Sequence, residues 1–255
     1  CHSGLSCRRF MQASLTIIRY HPVFIPFAFL AMAIHRLPLW LNGSISFYKL
    51  MGCGRNGTFD KQPDWRQWAI LAVRKEPLDK DLPEKVLLKK LYGGFIAGWL
   101  YFFKCETFTI LLKPIEGHGC WDGKQVMGDL PSKSTYEGPI AILTRATIRL
   151  NKLKYFWQHV APVAARMQTA DGFITSVGIG EIPWIKQATF SVWQSKESMR
   201  AFAYGMKEHT EVIKMTRQQK WYSEDMFVRF IITGSFGSMR GENPLRDLKT
   251  TDSYN

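Results

Sequence analysis

No CxxC pair occurs in the sequence, and no histidine stands at zinc-finger spacing from any of its five cysteines, Cys1, Cys7, Cys53, Cys105 and Cys120. That excludes the usual structural zinc sites. An odd number of thiols in a chain of 255 residues points to reduced cysteines and a cytoplasmic setting. Nucleophilic hydrolysis has no carrier, because no Ser/His/Asp or Cys/His set is spaced for it. Gly178 and Gly180 resemble a phosphate loop only in outline, since no helix N-terminus follows them. Acidic residues are scarce, 21 against 34 basic ones, for a net charge of +13. The basic residues are spread along the chain and form no recognition helix, so a nucleic-acid partner is not expected; the charge suits an anionic membrane face or an acidic protein. A long membrane span is also missing from the pattern. The apolar run at 22–34 falls short of about 20 residues. Arg19, His21, Pro22 and Pro26 speak against a signal peptide, although Ala31-Met32-Ala33 mimics a cleavage site.

What the chain has in quantity is aromatic surface: 14% of residues, nine of them tryptophan, within an apolar content of 46%. This fits a deep apolar cavity or an aromatic core equally. The length allows one or two domains. Met11 reads as a natural start, and residues 1–13 as a tail outside the fold.

An internal repeat organises the rest. Leu15-Thr-Ile-Ile-Arg19 aligns with Ala141-Ile-Leu-Thr-Arg145 at a shift of 126 residues, 141 minus 15, and the same shift carries Gly52-Cys53-Gly54 onto Gly178-Ile179-Gly180. Each half then reads β-α-β-β-α-β. Strands are expected at 15–20, 46–52, 67–74 and 106–115, then at 140–148, 173–179, 188–194 and 226–233. Helices are expected at 22–37, 82–95, 152–167 and 197–221, with Asp81 capping the second and Ser195 or Ser198 the last. The predicted class is α+β: two tandem ferredoxin-like βαββαβ halves, 14–115 and 139–245, packed sheet to sheet as a pseudo-symmetric barrel. Between them 116–138, rich in Gly, Ser and Pro, reads as a linker, and 246–255 as a C-terminal tail.

Several longer strings carry a resemblance. Gly138-Pro-Ile-Ala-Ile-Leu-Thr-Arg145-Ala-Thr-Ile-Arg149, Gly178-Ile-Gly-Glu181-Ile-Pro-Trp184, Gln187-Ala-Thr-Phe-Ser-Val-Trp193, Phe202-Ala-Tyr204 with His209, Trp221-Tyr-Ser-Glu-Asp225 through Arg229-Phe230, and Phe47-Tyr-Lys-Leu-Met-Gly-Cys-Gly54 resemble the spheroidene monooxygenase family. The resemblance implies a dimeric-type α+β barrel and oxygenation of an acyclic carotenoid at a methylene, two hydroxylations at one carbon and loss of water giving a ketone. It implies haem as cofactor, with dioxygen and electrons from a donor such as a ferredoxin, which a basic surface would suit. Another His-haem reaction, such as aldoxime dehydration or peroxide chemistry, a non-enzymatic haem or apolar-ligand carrier, and a cofactor-free oxygenase are the other readings. A homo-oligomer is left open.

His209 is the candidate metal ligand. On a helix it shares a face with Met199, Phe202, Met206 and Ile213, and with the resemblance it becomes a proximal haem ligand. Phe202, Met206, Ile213 and Trp193 are the cofactor-binding candidates. The corresponding first-half helix, 82–95, contains no histidine, so only the second half is expected to bind. Arg145 and Gln187 are the catalytic candidates: Arg145 lies in a strand with its fork of donors able to hold a propionate or an oxygen ligand. Arg19 at the equivalent place gives Arg145 a structural reading as well, and Gln187, Arg229, Trp184 and Phe190 have ordinary packing readings beside functional ones. The helix at 22–37 followed by Leu39-Trp40-Leu41 has two readings, packing on the first sheet, which is favoured, or contact with a membrane.

Overall fold

Residues 11–55, 62–79, 82–205, 215 and 218–248 are described by a computed structural model of the chain, apart from the side chains at 159–164 and 204. Eight strands close into an antiparallel barrel: β1 (Gln12–Arg19), β2 (Ile45–Gly54), β3 (Pro63–Arg74), β4 (Glu106–Gly119), β5 (Ile140–Ile148), β6 (Phe173–Ile182), β7 (Lys186–Trp193) and β8 (Tyr222–Gly237). Around the barrel the order is β1-β3-β2-β6-β7-β5-β8-β4. The first four strands therefore lie β4-β1-β3-β2 and the last four β8-β5-β7-β6, the same order in each half.

The two seams that close the barrel are unequal. β4 pairs with β8 from Phe108 to Gly119, whereas β2 and β6 meet only through Gly52↔Gly180 and Cys53↔Ile179. Because successive side chains point to opposite faces of a strand, the inner set is fixed by phase: Leu15, Ile17, Leu71, Val73, Ile110, Leu143, Phe190, Val228 and Phe230 pack in one interior cluster with Trp121, Val126 and Met127. The outer phase of the first sheet holds Ile18, Ile70, Ala72 and Leu111 under Leu87, Leu91, Ile96 and Leu100. β1 is buried on both faces, and its outward Thr16 is tolerated because its hydroxyl pairs with Tyr92 Oη at 2.7 Å and Thr109 Oγ1 at 2.8 Å.

The helices depart most from the sequence reading. The predicted first helix is a 3-10 turn (Pro22–Phe24) running into α1 (Ile25–Ile34) and α2 (Arg36–Leu41), and this stretch, Pro22–Leu41, is 20 residues, long and apolar enough to cross a membrane by length and composition. The expectation of too short a run fails because Leu37, Leu39, Trp40 and Leu41 continue it past the cationic Arg36. Its favoured fate as core packing is met only along the stripe Ala28, Ala31, His35 and Leu39. The predicted helix at 82–95 is two: α3 (Glu84–Tyr92) stops at Gly93, φ 89°, and α4 (Gly94–Phe102) follows. α3 has Pro83 at its N-cap, and the proposed cap Asp81 lies outside the described residues. α5 (Leu153–Met167) matches its prediction, and α6 (Lys196–Gly205) begins the last one. Ser195 is the cap there, its Oγ accepting from Ser198 N at 3.0 Å.

The stretch read as a linker is packed. β4 continues to Gly119, and Trp121, Val126, Met127 and Tyr136 are buried. A run rich in Gly and Pro hid these few large anchors.

Gly237 turns the end of β8 at φ +75°, and a Cβ there would overlap the Thr107 carbonyl; Gly123, at φ +73°, has open space around it. Gly237→Ala is expected to lower unfolding stability by about 3 kcal/mol, against about 1 kcal/mol for Gly123→Ala, where only the left-handed backbone resists. Urea titration of both variants measures the difference.

Candidate functional site

Two arrangements stand out, on opposite sides of the second sheet. Arg145 belongs to the inner phase of β5 with Ala141 and Leu143, and Lys49 of β2, Glu181 of β6, Lys186 of β7 and Glu224 of β8 belong to the inner phase of their strands. Antiparallel closure brings all five to one mouth of the barrel. Arg19, the counterpart of Arg145, points into the other mouth, where it pairs with Asp64 at 2.8 Å and Gln67 at 3.1 Å.

At the Arg145 mouth the turn after β4 closes the ring. Lys49 Nζ donates to Glu181 at 2.5 Å and also to Asp122; Lys186 Nζ donates to Asp122 at 2.9 Å; Trp121 Nε1 donates to Glu181 at 2.7 Å. Arg145 donates to Glu224, which also accepts from Gly123 N at 2.6 Å and Asp122 N at 3.1 Å. The three cations Lys49, Arg145 and Lys186 face the three carboxylates Asp122, Glu181 and Glu224, so the ring is formally neutral. Arg145 is 1% exposed, its guanidinium 5.4 Å from the Trp121 ring, and its Nε and Nη2 have no hydrogen-bond partner among the described residues. Burial pushes the Asp122 carboxyl up, but hydrogen bonds from Lys49 and Lys186 outweigh it and hold it at about 2. Glu224 is likewise held low, its desolvation outweighed by Gly123 N–H and Arg145. The interior beneath is filled with apolar side chains, so the ring acts as a charged stopper.

The outer face of the same sheet is built differently. In the first half the outer layer is one continuous cluster. In the second, the described residues form two. Ile140, Ile142, Trp193 and Ile231 pack with Met167 of α5 and Met199 and Phe202 of α6, while Ile148 packs apart with Phe156, Trp157 and Trp221. Between them Thr144 is exposed, although β5 is flanked on both sides by strands. Its counterpart in the first half, Ile18, is 3% exposed and opposite Trp68; Thr144 is opposite Thr189. Gly178 and Ala146 flank the same spot with little side chain. Thr189 is buried, and its hydroxyl has no partner among the described residues. The sheet face between the two clusters therefore carries small and polar residues, and at the end of β7 Trp193 is buried in the first cluster, 5.3 Å from Phe202 and 5.5 Å from Phe173 between ring centroids.

The sequence-predicted residues divide accordingly. Trp193 and Phe202 meet in the outer cluster that α6 covers; Gln187 is on the same face of the sheet, its Nε2 donating to Ile182 O at 3.1 Å. Arg145 is on the other face, so the sheet stands between the two catalytic candidates. His209, Met206 and Ile213 lie outside the described residues. Arg229 faces outward and donates to buried Glu116, which accepts from Lys196 Nζ at 3.0 Å and Ser134 N at 2.7 Å. This knot ties β4, β8 and the former linker to the first turn of α6.

Sequence reasoning missed Lys49, Asp122, Glu181, Lys186 and Glu224, yet all but Asp122 stand in the inward phase of their strands, which counting by two from the apolar positions reveals. It also missed His118, which lies on the outer face, its ring 5.7 Å from Phe227, with Phe227 opposite Thr144. A separate cleft of about 320 Å³ follows the first half of β6, between Gln67, Gln168, Ile174, Ser176, Met239 and Arg240. None of the predicted site residues lines it.

The fold defines the class, an α+β barrel that encloses an apolar interior and carries helices on its outer face. Two aldoxime dehydratase structures, one co-crystallised with butyraldoxime, share the architecture: each has a TM-score of 0.60 at 10% identity, covering 92% and 96% of this chain and 85% and 89% of theirs. No protein-family profile matches the chain. Among sequence relatives, the spheroidene monooxygenase of Rhodobacter capsulatus is 31% identical over 236 residues, 91% of this chain and 95% of its own. That of Cereibacter sphaeroides is 31% identical over 220 residues, 86% of this chain and 64% of its own, and that of Rubrivivax gelatinosus 36% over 136 residues, 53% and 51%. The chain belongs to the spheroidene monooxygenase family and is an oxidoreductase.

Glu224→Gln removes the carboxylate hydrogen-bonded to Arg145 but leaves Asp122 at 3.6 Å and Glu181 at 3.9 Å, and is expected to cost about 1 to 3 kcal/mol; chemical denaturation at neutral pH reads it. For Asp122 the folded pKa, about 2, is below its ordinary 3.8, so its contribution is complete above pH 3.8 and fades as pH falls towards 2. Asp122→Asn is therefore expected to flatten the acid limb of the stability curve in that window.

Proposed function

We propose that the chain is a haem-dependent monooxygenase of an acyclic carotenoid or a similarly long apolar molecule, converting a methylene to a ketone by two hydroxylations and loss of water. One observation supports the cofactor's place: among the described residues the outer apolar layer of the second sheet parts at exposed Thr144, where the first sheet has buried Ile18. The small and polar residues there suit the floor of a slot for a flat, mostly apolar group, to which the Thr189 hydroxyl, without a partner among the described residues, would donate a hydrogen bond. Bound haem supplies reductive activation of dioxygen.

The chain's part is to hold and to exclude. Trp193 and Phe202, with Met206 and Ile213, would hold the group by apolar contact, and His209 would supply the nitrogen that binds its iron. The apolar walls keep water from the reacting carbon, and Gln187 is placed at the margin of the slot as a donor. Arg145 acts from behind the sheet, fixing the β5–β8 mouth on which the floor depends. The matching strand orders of the halves support the reading of tandem ferredoxin-like repeats, of which only the second kept a space under its helices. An acidic electron donor such as a ferredoxin suits the net charge of +13, and a cytoplasmic setting suits free Cys53, Cys105 and Cys120.

Protein expressed with excess haem precursor is expected to show a Soret band that His209→Ala abolishes and His118→Ala leaves in place. Thr144→Trp, which fills the slot, is expected to melt at or above the wild-type temperature and to bind no haem. Ketone formation is expected to require both reductant and dioxygen. A protein whose spectrum does not change on haem addition overturns the proposal.

A further inference from the structure

The first half carries an apolar surface that the oxidoreductase site does not use. α1 and α2 touch the barrel through Ala28, Ala31, His35 and Leu39, a stripe at helical spacing. On the remaining circumference Val23, Phe27, Phe29, Leu30, Leu37, Trp40 and Leu41 are exposed, Trp40 at 72%. α4 adds Phe95, Tyr101 and Phe102, the last at 76%. These belong to one surface. Phe27 of α1 lies 4.8 Å from Phe103 just after α4, buried His35 lies 5.5 Å from Trp99, and Phe29 lies 5.4 Å from exposed Trp65 of β3. Patches of this extent mark interaction sites in folded proteins.

Charge selects the partner. No Asp or Glu occurs in residues 22–41 or 85–105, the two segments that build the face, while Arg36, Lys85, Lys89, Lys90 and Lys104 do and are all exposed. Lys85 Nζ sits 4.2 Å from the centre of the Tyr101 ring, which places a cation on the aromatic surface itself. A second copy docking by the same face would set cations against cations with no carboxylate to answer them. Apolar side chains with Trp and Tyr among them, bordered by lysine and arginine, match the acyl–headgroup boundary of an anionic bilayer.

We infer that the α1–α2–α4 face seats the protein on an anionic phospholipid membrane, with Trp40, Leu41 and Phe102 entering the bilayer and Arg36 and Lys104 meeting the headgroups. The Pro22–Leu41 segment lies along the membrane and does not cross it, because its Ala28–Leu39 stripe is fastened to the first sheet. His35 is sealed in that joint, beneath Phe95 and Trp99. The inference is independent of the haem proposal, since every residue in it belongs to the other half.

Flotation of the full chain with vesicles of phosphatidylcholine alone, or with about one third phosphatidylglycerol, tests it. The wild type is expected to float with the anionic vesicles at low salt, and at least tenfold less with neutral ones. Trp40→Ser with Phe102→Ser is expected to weaken binding at least tenfold without changing the melting temperature, because both side chains are exposed. Arg36→Gln with Lys104→Gln is expected to remove most of the preference for anionic vesicles. Wild-type protein that stays at the bottom of the low-salt gradient overturns the inference. So does a wild-type dimer in sedimentation that the Trp40/Phe102 variant converts to monomer.

Discussion

Closure of an antiparallel sheet imposes one rule on this molecule: each strand residue faces either the sealed interior or the layer outside, and its neighbour faces the other. The interior is packed with aliphatic and aromatic side chains from all eight strands. The inward positions at one mouth are charged, and their partners are drawn from β2, β5, β6, β7, β8 and the turn after β4, so the stopper exists only when the barrel is closed.

The same rule separates two residues that a linear reading put together. Arg145 and Gln187 lie on paired strands, Arg145 opposite Ala188, and a step of one residue puts them on opposite faces. The resemblance of strings such as Gln187 through Trp193 to a family cannot show this, because neighbouring letters in a strand share a motif without sharing a cavity. Trp193 and Phe202, 9 residues apart by number, do meet, since the chain turns from β7 into α6 and lays the helix back over the strand it left.

The two halves of the barrel differ in their outer layers. The first sheet is covered by a continuous apolar layer that includes Ile18 and Tyr92, and then exposes further apolar surface on the helices beyond. The second interrupts its layer at Thr144 and fastens α6 at its start by the Lys196–Glu116–Arg229 knot. A buried ionic knot at the first turn thus anchors the start of α6 to the second sheet.

Much was determined by the sequence alone. Period-two runs of β-branched and aromatic residues marked all eight strands, the repeated Leu15 and Ala141 strings placed β1 and β5, and the longer strings identified the family, because strand pattern and motif are local properties of the chain. The helix breaks at Ile34 and Gly93, the packing of the Trp121 turn, the mouth assembled around Arg145 and the exposure of Thr144 were decided only by the tertiary structure. These depend on which distant residues reach a side chain. Lys49 and Glu181 stand 132 positions apart, and only the closing of the sheet brings them within hydrogen-bond distance.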